Sequence, residues 1–403
     1  MIRRKGARGV ICLLASLTLV AAACSDDDTA TDDTTAEAAA QVTTTAGGDT
    51  TAAADGATTT AGGAATTAAA TPSGGSVLED VTARGSLNCG VNSSVPGFGF
   101  TDAAGEFSGF DIDYCRAVAA AVLGDPEAVT FVPLTPDERF PALSSGEIDV
   151  LIRNTTWTAS RDGGNGAAFV TTTYYDGQAM MVRTEDGFTD LESMTDATIC
   201  MTAGTTTEQN LASRFVDIPH NPQTFGENSE VQEAFIAGQC DGWTSDASQL
   251  AGIRSNWPAD QGGPESLVIL DEVFSKEPLG PAVRDGDSAW YDAVNWTVLA
   301  TIYAEELEIT QANVEEMKTS DVPEVLRLLG QPVPDPAGGT AAVFDPGLGL
   351  PAEFAADAIA AVGNYGEIYE RNVGPDTALA IDREGTANAL AADGGLHYAP
   401  PFR

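Results

Sequence analysis

Positive charge is scarce in this chain. Only 19 Lys and Arg stand against 59 Asp and Glu in 403 residues, a formal net charge of -40. That balance excludes nucleic acid and the anionic face of a membrane as partners, because both are polyanions that such a surface repels. A small anionic ligand meets the same repulsion and is held only where a local positive site captures it. Histidine is scarcer still, with His220 and His397 alone. Neither lies near Cys89, Cys115, Cys200 or Cys240 in sequence, and no two of these cysteines are closely spaced, which excludes zinc at the usual ligand spacing. No metal and no cofactor is expected. Beyond residue 24 there is no long uninterrupted apolar run, so the remainder reads as soluble.

The apolar residues that do run together are at the start. Arg3, Arg4, Lys5 and Arg8 precede an apolar run over residues 10–23. That run is short for a bilayer and closes on small residues, so residues 1–24 read as an export signal, not a transmembrane helix. Ala21-Ala22-Ala23-Cys24-Ser25-Asp26 resembles a lipobox, with Ala21 where leucine is usual. Cys24 would then be lipidated and become the mature N-terminus. A cleaved signal on a soluble protein, with Cys24 incidental, is the alternative. Residues 25–76 are a Thr, Ala, Gly and Asp stretch with almost no large apolar side chain. They bury too little to offset chain entropy and read as a flexible tether.

From residue 77 the chain is long enough for two lobes with separate cores. Residues 86–91 read as a strand, followed by a Gly- and Pro-rich loop and a helix opening at 109–118. Ile112, Cys115, Val118 and Val122 keep its helical spacing, and Gly124 stops it. A strand over 129–133, a helix over 139–145 and a strand over 148–152 complete this set. A second set has strands at 197–201, 240–244 and 267–270, with helices beginning near Thr205, Glu230 and Ala247. After Glu277 the chain returns to the first lobe with 280–283, a long helix over about 288–307 and shorter helices. Such alternation implies α/β lobes with mainly parallel sheets. Cys12 falls in the signal and Cys24 is the lipid candidate, leaving four cysteines for two disulfides in an exported domain. Three pairings are open. Cys89–Cys115 with Cys200–Cys240 keeps each pair within one lobe and is favoured.

Three short segments concentrate binding chemistry. Residues 154–162, Asn-Thr-Thr-Trp-Thr-Ala-Ser-Arg-Asp, follow the apolar run 148–152, so hydroxyls, an amide and Arg161 sit just past a strand's C-terminal end. Small ligands bind there in open α/β sheets, and a guanidinium with neighbouring hydroxyls suits a carboxylate. The alternative is a solvated Arg161 paired with Asp162. Second, Thr205 and Glu208 have capping-box spacing at a helix start, where free amides and the helix dipole favour an anion. An ordinary capped helix is the alternative. Third, Asp246 ends a strand beside Ser245 and Ser248 and suits an ammonium group, unless it merely caps the next helix. Arg161 with a helix start suits one carboxylate, and Asp246 suits one ammonium; an α-amino acid carries both on adjacent atoms.

Several segments together resemble the amino-acid-binding proteins of ABC importers, solute-binding protein family 3, and most closely the general L-amino-acid-binding branch. They are residues 109–113 (GFDID), 146–150 (GEIDV), 154–162, 174–178 (YYDGQ), 203–208 (AGTTTE), 244–248 (TSDAS), 275–284 (SKEPLGPAVR), 362–367 (VGNYGE) and 398–401 (YAPP). The resemblance spans residues 77–403. It implies the α/β two-lobe fold of type II periplasmic binding proteins, with residues 77–177 and 280–403 in one lobe and 178–279 in the other. Two crossover strands would join them near 177–181 and 273–279. By motif position, Arg161 would bind an α-carboxylate with Thr156, Thr205 and Thr206, while Asp246 would bind the α-ammonium with help from Asn154. Asn92 and Trp157 would line the side-chain pocket. The resemblance further implies L-amino acids as ligands, permease and ATPase subunits of an importer as partners, membrane attachment through lipid on Cys24 only, and a monomer.

An enzyme on the same fold, a lyase of the cyclohexadienyl dehydratase type, is the competing reading. It would need an acid or base beside the ligand, with Glu277 or Glu106 as the candidates. A non-transport amino-acid sensor is a third; a receptor would normally continue into a membrane or signalling segment after its lobes, whereas this chain ends with residues 398–403.

Overall fold

A computed structural model describes residues 75–335 and 337–403. The expected export signal, Cys24 and all but the end of the expected tether lie outside the described residues. Among the described residues no helix is long and apolar enough to cross a membrane.

Two five-stranded sheets organise the chain. In the first, strands lie in the order Val129–Pro133, Leu87–Val91, Val150–Leu151, Ala282–Arg284 and Ala167–Phe169. The first three are parallel, as strand–helix–strand connections require, and Ala282–Arg284 enters antiparallel beside them. In the second sheet the order is Asn221–Phe225, Thr198–Thr202, Gly242–Asp246, Gln178–Arg183 and Leu267–Ile269. Again three strands are parallel, while Gln178–Arg183 runs antiparallel to both of its neighbours. The sequence reading lacks Ala167–Phe169 and Asn221–Phe225, and has residues 177–181 as a crossover strand where the structure has Gln178–Arg183 within the second sheet. Gln178–Arg183 is buried on both faces, which erases a polar–apolar alternation, and Asn221–Phe225 is an exposed edge strand with Pro222 in it.

Burial on both faces of the second sheet follows from the two-residue period of a strand. Ala179 and Met181 pack with Phe235 and Trp243, while Met180 and Val182 pack with Met201 and Phe215 on the other side. The first lobe has a larger core around helices Phe110–Leu123 and Ser288–Glu306. Trp290 in the latter is fully buried, and its indole donates to the Asp149 carbonyl at 2.8 Å. Helices Phe354–Val362 and Tyr365–Asn372, late in the chain, pack into the same core. Cys89 is bonded to Cys115 and Cys200 to Cys240, the pairing that keeps each bridge within one set of units.

Between the sheets lies a two-stranded antiparallel ribbon, Tyr174–Asp176 against Glu277–Leu279. The sequence expectation placed the first crossing at 177–181. The ribbon lies earlier, and from Gln178 the chain is already a strand of the second sheet. Gly177 marks the change: a β-carbon there would lie 2.3 Å from a Val273 methyl and 2.8 Å from the Ser275 carbonyl oxygen, so only glycine permits this approach.

Candidate functional site

All six parallel strands lead into one cleft. Asn92, Pro136 and Arg153 follow the three of the first sheet; Thr202 and Asp246 end two of the second, and Asn228 follows its third. Strand C-terminal ends are where an open α/β sheet leaves space for a ligand. The cleft encloses about 380 Å³ of space free of protein atoms, part of it open to solvent.

The first lobe supplies the segment after Val150–Leu151. Asn154 has φ of 32°, in the left-handed region that asparagine tolerates better than most residues. Its N–H donates to Asp111 Oδ2 at 2.7 Å, and its side chain accepts from Asn92 Nδ2 at 3.2 Å. Thr158 then caps the short helix Ala159–Gly164, accepting from Arg161 N–H at 3.2 Å. This turn carries the guanidinium inward. Arg161 is 8 % exposed, and Nη1 donates to the Thr156 carbonyl at 3.0 Å. Asp162 is not its partner: that carboxylate accepts from Phe169 N–H at 3.1 Å. Arg161 is therefore a buried cation, its pKa lowered by burial and partly restored by Glu277 and Asp246.

The second lobe faces it with two helix starts. Thr205 precedes helix Thr206–Arg214, but the expected capping box does not form. Thr205 Oγ1 donates to the Thr202 carbonyl at 2.7 Å, and Glu208 accepts from Gly204 N–H at 2.9 Å. Gly204, at φ 70°, turns its own amide to Glu208, and among the described residues no protein group accepts from the N–H groups of Thr206 and Thr207. Such a helix start favours an anion. Thr206 Oγ1 donates to Glu277 Oε2 at 2.9 Å and lies 3.5 Å from Thr156 Oγ1 of the first lobe.

Asp246 occupies the N-cap position of helix Ala247–Ser255, yet its side chain makes no cap bond. Asp176, on the ribbon, takes that role, accepting from Ser248 N–H at 3.3 Å and from the Ser248 hydroxyl. Asp246 is thereby left free to face the cleft. Burial pushes its pKa up, Asp176 and Glu277 push it further, and Arg161 and Arg139 oppose them. Burial likewise raises Asp176 to about 6, against the donors of Ser248 and Gly177.

Asn92, Asn154, Thr156, Arg161, Thr205, Thr206 and Asp246, all expected from sequence, line this single cleft. Trp157 does not. It is 40 % exposed and stacks on Phe169 with ring centroids 6.1 Å apart, while its backbone N–H donates to the Pro278 carbonyl at 2.8 Å. Of the two candidates for a lyase's acid or base, Glu106 is exposed, while Glu277 is buried and accepts from Thr206, Asn210 and Ser275.

Two more arginines stand in the wall. Arg139 is 2 % exposed, donates to Gly204 O at 3.3 Å and Thr155 Oγ1 at 3.4 Å, and has a buried Nε with no hydrogen-bond partner among the described residues. Arg153 donates through Nε to the Leu134 carbonyl at 2.7 Å, and burial lowers it to about 10 against the pull of Asp111. The scarcity of cations that singles out Arg161 applies equally to these two, and was the available signal. Gln249 and Asn228 are also additions. Asn154 Nδ2 donates across the cleft to Gln249 Oε1 at 3.0 Å, Gln249 Nε2 donates to Asn228 Oδ1 at 2.9 Å, and Thr202 Oγ1 donates to the same oxygen at 2.8 Å. This chain of amides bridges the two lobes.

Residues 87–312 match the family model of the bacterial extracellular solute-binding proteins, family 3. The general L-amino acid-binding periplasmic protein AapJ of Rhizobium johnstonii is 48% identical, over 81% of this chain and 93% of its own length. The glutamate/glutamine/aspartate/asparagine-binding protein BztA of Rhodobacter capsulatus is 47% identical, over 81% and 94% respectively. Among solved structures, an ABC transporter periplasmic binding protein from Brucella ovis with glutathione bound is 47% identical. It covers 82% of this chain and 100% of its own, with a TM-score of 0.75.

Proposed function

The chain belongs to the bacterial extracellular solute-binding proteins, family 3, and we propose that it is the extracytoplasmic amino-acid-binding component of an ABC importer. One observation carries this reading: Arg161 of the first lobe and Asp246 of the second, a buried cation and a buried carboxyl group, line a single cleft. Arg161, Thr156 and the start of helix Thr206–Arg214, with Thr205, hold the α-carboxylate. Asp246 holds the α-ammonium, and Asn154 assists from the first lobe.

The lobes are residues 77–177 with 280–403, and 178–279. A ligand touching Arg161 and Asp246 together bridges both, so its differential contacts favour the closed form. The desolvated charges of ligand and site are then mutually paired, which burial demands. The remaining wall, with Arg139, Arg153, Asn92, Asn228 and Gln249, is polar and suits side chains that carry carboxylate or amide oxygens, as the name of the R. capsulatus relative describes for that protein. The protein delivers its ligand to permease and ATPase subunits as a monomer tethered through lipid on Cys24.

A thermal-shift screen of the common L-amino acids tests the reading. Ligand binding to the folded state alone raises stability by RT ln(1 + [L]/Kd), so a cognate amino acid raises Tm in a concentration-dependent way. Glutamate, glutamine, aspartate and asparagine are expected to exceed lysine. No shift with any amino acid would sink the proposal.

A further inference from the structure

The ribbon between the sheets is gripped from both sides, in a way that divides it between two adjacent cross-strand pairs. Tyr175 stands opposite Pro278, and Asp176 opposite Glu277. The Tyr175–Pro278 pair is held by its backbone to the first lobe. Asn388 accepts from Tyr175 N–H at 2.7 Å and donates to the Tyr175 carbonyl at 3.0 Å, acting as a one-residue substitute for a third strand. Asn388 is itself buried, and Leu390 beside it belongs to the first-lobe core. On the other edge, Pro278 O accepts from Trp157 N–H at 2.8 Å.

The next pair is held by its side chains to the second lobe. Asp176 caps helix Ala247–Ser255 through Ser248. Glu277 accepts from Thr206 at 2.9 Å and Asn210 at 2.6 Å, both on helix Thr206–Arg214. These two helices begin at the residues that face the cleft, Asp246 and Thr206.

We propose that the hinge line of this protein falls between the Tyr175–Pro278 and Asp176–Glu277 pairs, with Asn388, Asp176 and Glu277 as the positioning residues that fix it. Bending is thereby confined to one step of each strand, and the two second-lobe helix starts move as one body about it. Residues 313–403, outside the match to the family model, take part in closure through Asn388. A loosened pivot gives the open protein more conformations to lose on closing, which weakens ligand affinity without any change in ligand contacts. The inference rests on the proposed closure of the lobes on an amino acid.

Asn388 lines no part of the cleft, so it isolates the hinge from direct contact. The test places one spin label on each lobe of the full chain and measures inter-lobe distance distributions, without ligand and with saturating glutamate. In parallel, glutamate affinity is measured by calorimetry. Asn388→Ala is expected to broaden the unliganded distribution and weaken glutamate about 3- to 10-fold. Ser248→Ala, which weakens the grip on the other side, is expected to act in the same direction. Should Asn388→Ala fold poorly, Asn388→Asp keeps the acceptor for Tyr175 N–H and gives a smaller broadening. A lowered Tm with wild-type distance distributions in these variants would mean a merely structural role and overturn the proposal. If the wild-type protein binds no amino acid, the proposed function fails, while the unliganded distributions still decide the hinge.

Discussion

Asp176 accepts from Ser248 N–H at 3.3 Å, filling the cap that Asp246, next to the helix in the chain, leaves open. A carboxylate borrowed from the ribbon thus satisfies the helix start, and the neighbouring carboxylate is free for a cation. Aspartate at an N-cap is normally consumed by its own helix. Here long-range packing separates the capping role from the ligand role.

Arg161→Ala and Asp246→Ala are each expected to cost at least about 2 kcal/mol of amino-acid binding, because each leaves a buried ligand charge without its partner. Calorimetry with glutamate measures the loss, which corresponds to roughly 30-fold in Kd. Near-unchanged affinity in both variants would reject the clamp.

Gly252→Ala separates stability from binding. The residue lies inside helix Ala247–Ser255 of the second lobe, where alanine is preferred over glycine by about 1 kcal/mol. A β-carbon there would lie 2.4 Å from the Pro96 carbonyl oxygen of the first lobe. The variant is expected to keep or gain thermal stability without ligand, while glutamate affinity falls because the lobes cannot approach fully. Wild-type affinity together with raised stability would show that this contact is not part of closure.

Acid conditions are expected to release ligand. Burial raises Asp176 to about 6 and pushes Asp246 up as well, so the empty site retains protons that a bound ammonium displaces. Affinity therefore falls as pH drops and Asp246, its pKa raised by burial, takes up a proton. The sign for the unliganded fold is the reverse. These carboxyls bind more protons folded than unfolded, so their contribution to stability weakens as pH rises from the usual carboxylate range toward about 6. Calorimetry at pH about 5.5 in two buffers of different ionisation enthalpy should show net proton release on glutamate binding. Equal heats in both buffers would contradict the acid pair.

The disulfides close loops of 26 and 40 residues in sequence separation. Chain-entropy reasoning gives about 3.5 and about 4 kcal/mol of stabilisation for loops of these lengths. Cys200→Ser with Cys240→Ser is expected to lower the denaturation midpoint of the second lobe, while the first-lobe bridge stays intact. A midpoint unchanged in the double variant would show that the bridge adds nothing beyond the two cores flanking that sheet.

Much of this protein was legible before its fold. The strand–helix alternation and the glycine stop at Gly124 are short-range features that periodicity and turn chemistry report directly, and of three open cysteine pairings the favoured local one is the pairing found. Arg161 stood out because cations are rare in so acidic a chain. What only the tertiary structure decided is which partner each polar group finds. Glu208 satisfies Gly204 instead of Thr205, Asp176 replaces Asp246 at a helix start, Trp157 turns out to Phe169, and Arg139 and Arg153 join the cleft wall. A side chain's hydrogen bonds depend on groups brought near it from tens or hundreds of residues away. Residue type and spacing determine what Asp246 is able to bind; only the packing of two lobes against one ribbon determines that its carboxylate is left free to do so.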